Sequence, residues 1–190
     1  MVAVAIVSTV GAMGTVVYRR AVSGSTSPAF ARSFVTLVHE ARHRAMTLGR
    51  TARLRIVPPA STGLATVISS EVLDPADATN STWLVNTRTS APLRIEFCQP
   101  AVGVSLVSAT PTCPITTAMT TLLCIAPNGR ASLAATGGTC PGTGSATASQ
   151  PSTGTGATIY FRGTQELRND VRYKVVVWGL TGLPKLVDQW

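Results

Sequence analysis

The first eighteen residues, Met1 to Tyr18, carry no charge and run directly into Arg19-Arg20. As a helix rising about 1.5 Å per residue, that stretch spans roughly 27 Å, close to the hydrocarbon thickness of a bilayer. The segment predicts an apolar helix over residues 1–20, with Val4, Ile6, Val7, Val10, Met13 and Val17 as its membrane- or filament-facing residues. Tyr18, Arg19 and Arg20 suit the headgroup boundary, an aromatic ring followed by two snorkelling guanidiniums. A secretory signal peptide fits less well. No basic region precedes the apolar core, and the arginine pair interrupts the place where a small-residue cleavage site belongs.

The 190 residues of the chain leave room for one domain of ordinary size beyond that helix. Sixteen basic against eight acidic residues give a net charge of +8, and fourteen of the basic residues are arginine. An excess of this kind permits acidic partners such as lipid headgroups or nucleic acid without specifying either. The four cysteines, Cys98, Cys113, Cys124 and Cys140, lie in the second half at spacings of 15, 11 and 16, and none forms a C-x-x-C pair. No zinc ribbon or finger has those spacings, whereas two disulfides in an oxidising compartment account for an even count in a loop-rich domain.

Residues 21–27 (AVSGSTS) are small and polar and predict a flexible break. Ser27 and Pro28 then read as the N-cap and first position of a second helix over residues 28–49. Along it Phe30, Phe34, Leu37, Val38, Ala41, Ala45 and Leu48 recur at three- and four-residue steps, a stripe suited to packing on a domain. Gly49 is placed to end the helix.

From residue 50 to 190 the texture is that of a β domain, in short β-branched runs parted by Pro, Gly, Asn and Ser. Strands are expected at 53–57, 64–69, 83–86, 93–98, 103–107, 122–126, 131–135, 158–162 and 172–178, and a last hairpin turns at Gly179–Pro184 and returns through 185–187. Residues 137–157 are of low complexity and predict a long surface loop. Taken as a meander, the strands would place Cys98 with Cys124 and Cys113 with Cys140 at opposite ends of one sheet.

His39-Glu40-Ala41-Arg42-His43 matches H-E-x-x-H on a predicted helix, the pattern in which two imidazoles one turn apart grip zinc and the Glu activates its water. A catalytic zinc needs a third protein ligand; the chain's two histidines are already used, which leaves carboxylates such as Glu71 or Asp74 in an unremarkable turn, and no third ligand is evident. Arg42 and Arg44 add positive charge, so the match reads as coincidental: no metal, no cofactor and no catalytic residue is assigned. Asp74 and Asp77 suit turn capping better than cation binding. Asn80-Ser81-Thr82 is a sequon by pattern only. Tyr173, Lys174 and Trp178 interleave aromatic and basic groups, but on a strand at most half of them can line one surface.

An apolar helix, an amphipathic continuation and a small β domain together resemble the layout of type IV minor pilins and type II secretion pseudopilins. MVAVAIVSTVGAM is similar to the stretch that follows the processing site in that family. FARSFVTLVHEARHRAMTLGRTARLRI resembles the second half-helix and first strand of H-type pseudopilins, and VVVWGLTGLPKLV resembles their last hairpin. The family's basic leader, Gly, N-methylated Phe and nearby Glu, which would precede the equivalent of Met1, have no counterpart in the chain.

The resemblance implies an α+β, pilin-like fold, in which a long interrupted N-terminal helix packs on a small antiparallel β domain. It implies a non-enzymatic subunit that primes or tips a type IV pilus, or a minor pseudopilin. The partners would be other minor pilins, the major pilin, the inner-membrane assembly platform and the lipid bilayer. The subunit would sit in the bacterial inner membrane with a periplasmic domain before entering a filament that serves motility or secretion. A DNA-binding pilin and a zinc metalloprotease are the remaining alternatives.

Overall fold

The computed structural model describes residues 27–59, 65–77, 81–92, 95–104, 111–113, 115, 120–134, 140, 155–163 and 171–188. They form a helix, α1, over residues 27–48 and nine strands: β1 (Ala52–Val57), β2 (Val67–Leu73), β3 (Trp83–Ser90), β4 (Ile95–Val102), β5 (Thr121–Ile125), β6 (Ala131–Ala134), β7 (Ala157–Gly163), β8 (Val171–Val177) and β9 (Pro184–Asp188). Two antiparallel sheets result, one ordered β3-β2-β1-β5-β6 and the other β4-β7-β8-β9.

The inner faces follow from alternation. Leu54 and Ile56 of β1, Ile68 and Val72 of β2, and Leu123 and Ile125 of β5 share one buried core with Phe97 of β4, Ile159 and Phe161 of β7, and Val175 and Val177 of β8. α1 belongs to the same core and buries Phe30, Ala31, Phe34, Val38, Ala41 and Ala45 in it. Phe30 and Phe34 meet Phe97 and Phe161 at ring-centroid distances of 5.7 to 6.1 Å. The alanines further along the helix let its backbone come close to the sheets. α1 ends as expected: Gly49 takes a φ of 62°, and the Arg50 amide donates to the Ala45 carbonyl at 3.1 Å.

Several expectations need correction. The fold is mainly β rather than α+β with a long interrupted helix, because strands dominate and α1 is the single helix among the described residues. No helix among those residues is long and apolar enough to cross a membrane, so a transmembrane helix is not part of the described fold. The segment 1–20 with Val4, Ile6, Val7, Val10, Met13 and Val17 lies outside the described residues, as does 21–26 of the expected break. Ser27, placed in that break, is helical.

Leu37 of the stripe is half-buried, and Leu48 is 48% exposed because the last turn of α1 runs past the core. The strand expected at 64–69 is shifted to 67–73, and residues 105–107 of the expected 103–107 strand are outside the described set. Within the expected loop 137–157, Cys140 is buried, Gly156 bridges to Ser132, and Ala157 already begins β7.

The cysteine pairing also differs. Cys98 is bonded to Cys113 and Cys124 to Cys140, each within its own stretch of chain. A meander would have put Cys98 and Cys124 at one edge, but β4, which carries Cys98, and β5, which carries Cys124, belong to different sheets.

Candidate functional site

The H-E-x-x-H pentapeptide lies mid-way along α1, and its side chains go separate ways. Glu40 accepts from Arg44 Nη2 at 2.7 Å and from Thr87 Oγ1 of β3 at 3.1 Å. Arg42 Nε donates to the carbonyl of Thr181, in the β8–β9 turn, at 2.6 Å. One residue of the motif thus ties α1 to the first sheet and another ties it to the second. His39 and His43 are exposed, and Ala41 is fully buried. For a zinc protease the arrangement is wrong: the would-be base is held by a guanidinium. Among the described residues no group of three or more His, Cys, Asp or Glu gathers where a metal would sit.

The turn that receives Arg42 is built for close approach. Gly182 has a φ of 62°, and a Cβ on it would collide with the Gly129 carbonyl oxygen in the β5–β6 turn and crowd Arg42 Cδ at 3.4 Å. Gly129, with a φ of 80°, lies against Arg42 and the sulfur of Met46. Here the C-terminal half of α1, the β5–β6 turn and the β8–β9 turn meet. The sequence marked Gly179–Pro184 as a turn, but nothing local in it shows that Arg42 closes over that turn.

On the other side of α1 an open groove of about 520 Å³ runs between the helix and β3, at the edge of the first sheet. Phe30, Ser33 and Leu37 line it from the helix, and Thr87, Thr89 and Pro92 line it from the strand side. Its lining is a mixture of apolar side chains and hydroxyls. No titratable group lines it among the described residues, so it offers a contact surface and no acid–base chemistry.

The outer face of the first sheet holds a partly buried ion pair that sequence reading missed. Arg53 binds Glu71 at 2.6 Å and lies 3.9 Å over the Trp83 ring, while Ser69 Oγ donates to the other Glu71 oxygen at 2.6 Å. The register makes this legible only afterwards, since Arg53 faces Glu71 directly across β1 and β2. Glu71 lies in β2 rather than in the expected turn, and its charge is balanced there by Arg53. Asp74 and Asp77 cap their turn, with Asp77 Oδ2 accepting from the Ser81 and Thr82 amides at 3.0 and 2.7 Å and Asp74 Oδ1 from the Ala76 amide at 2.8 Å. Asn80 lies outside the described residues.

In the interleaved cluster of β8, Tyr173 is half-buried and stacked on Phe161, Lys174 is buried, and Trp178 is 40% exposed. The three do not form one surface. Burial first, and Asp188 second, push the Tyr173 phenol above its ordinary value, against the opposing pull of Arg32.

Compared with protein-family models, curated proteins and solved structures, the chain matches none of them. Its two disulfides are compatible with an oxidising periplasmic or extracellular setting.

Proposed function

We propose that this chain is a non-enzymatic structural subunit of an extracytoplasmic filament, a minor pilin that primes or tips a type IV pilus. The observation that carries the reading is the use made of the pentapeptide on α1. Its Glu and Arg brace the helix to both sheets, and a zinc protease would need that Glu free as its base. A helix braced in this way can bear load between a disulfide-linked domain and whatever it joins. The residue-level resemblance of FARSFVTLVHEARHRAMTLGRTARLRI to the corresponding stretch of H-type pseudopilins supports the same class. It also favours a second reading, a minor pseudopilin of a type II secretion system.

Deletion of the gene in its native cells tests the proposal. Loss of surface filaments and of twitching, restored by the wild-type gene, is the expected result, and loss of exoprotein release with filaments intact marks the second reading. Unchanged filaments and secretion would refute both. So would stoichiometric zinc in the purified protein together with chelator-sensitive cleavage of azocasein.

A further inference from the structure

The histidines of the pentapeptide remain unused by this bracing. His39 and His43 are both exposed and stand one turn apart on α1. The opposite side of that helix is immobilised by Phe34, Val38, Ala41 and Ala45, each 0% exposed. Helical residues four apart carry their Cβ atoms roughly 5–6 Å from one another, a separation from which two imidazoles can close on one ion. No thiolate competes among the described cysteines, all of which are in disulfides, and the chain holds no third imidazole.

The charges beside the pair are engaged elsewhere. Arg44 Nη2 lies 2.7 Å from Glu40 Oε1, and Arg42 Nε is directed to the Thr181 carbonyl at 2.6 Å. Glu40 and Arg44 cancel as a pair, and the Arg42 guanidinium is drawn toward the β8–β9 turn. The repulsion that the sequence suggests between these arginines and a dication is reduced accordingly.

We propose that His39 and His43 form a surface chelate for a divalent transition-metal ion, with Cu²⁺ bound in preference to Ni²⁺ and Zn²⁺ as nitrogen donors dictate. Each neutral imidazole gives one ring nitrogen, and water fills the other positions. The site binds and does not catalyse, since the neighbouring carboxylate is held by Arg44 and Thr87. Helix packing fixes the two backbone positions before the metal arrives, so little ordering is needed on binding.

The test is titration of the untagged full chain with CuCl₂, followed by calorimetry and electron paramagnetic resonance, alongside His39→Ala and His43→Ala. One copper per chain with imidazole-nitrogen hyperfine structure is expected. Each variant should bind roughly tenfold or more weakly, because a single imidazole lacks the second, intramolecular contact of the chelate. Both variants should unfold at the wild-type temperature without metal, since both side chains are exposed. Wild-type protein that binds copper no more tightly than either variant, or a spectrum without imidazole nitrogen, would overturn the proposal.

Discussion

Phe34 is fully buried among Phe30, Phe97 and Phe161, at the point where α1 meets the second sheet. Truncation to Ala removes a ring from a packed aromatic cluster and should cost about 3–5 kcal/mol, read as a fall in the denaturant midpoint. Phe34→Asp should prevent stable folding, because it buries a charge with no partner. Tyr173 gives a pH prediction. Its phenol is held above the ordinary 10.0 by burial and by Asp188, so as pH rises past that value the unfolded chain loses the proton first. The Tyr173 contribution to stability is complete below about pH 10 and is lost as pH climbs through the folded-state value. Thermal melts of Tyr173→Phe should show a shallower alkaline decline than wild type; parallel slopes would contradict this placement. Residue types alone reported some of these positions well. The stripe of Phe30, Phe34, Val38, Ala41 and Ala45 is buried as its periodicity implied, but the role of Arg42 was hidden, since its partner lies 139 residues away.

Strands were legible because β-branched runs and turn residues are local signals, and the last hairpin and Gly49 were placed for the same reason. Strand order is a non-local property. β5 inserts beside β1 instead of beside β4, which moved Cys98 and Cys124 into separate sheets and undid the pairing inferred from a meander. The two observed disulfides close loops with sequence separations of 15 and 16. Each should contribute about 3 kcal/mol by restricting the unfolded chain, so reduction should lower the melting temperature and Cys98→Ser/Cys113→Ser should do so in part. Non-reduced peptide mapping checks the connectivity itself. The meeting of two turns at Gly129 and Gly182 supplies a further test. Gly182→Ala adds a Cβ against the Gly129 carbonyl at a left-handed φ and should destabilise by about 1–3 kcal/mol. An unchanged melting temperature would mean that these turns are not in close contact.

At the scale of the whole molecule, a helix shared by two sheets and two disulfides make a braced domain compatible with an oxidising compartment. The resemblance of the N-terminal third named a class of function, while the architecture turned out to be mainly β. The sequence's most conspicuous segment, residues 1–18, lies outside the described residues, and the many short strands dominate the fold of the rest. Where the protein is found in its native cells tests the filament assignment most directly. Filaments sheared from the cell surface and mapped by mass spectrometry without reduction should contain this chain with Cys98–Cys113 and Cys124–Cys140 peptides linked. Recovery in the cytosol, with four free thiols and none in the sheared fraction, would contradict it.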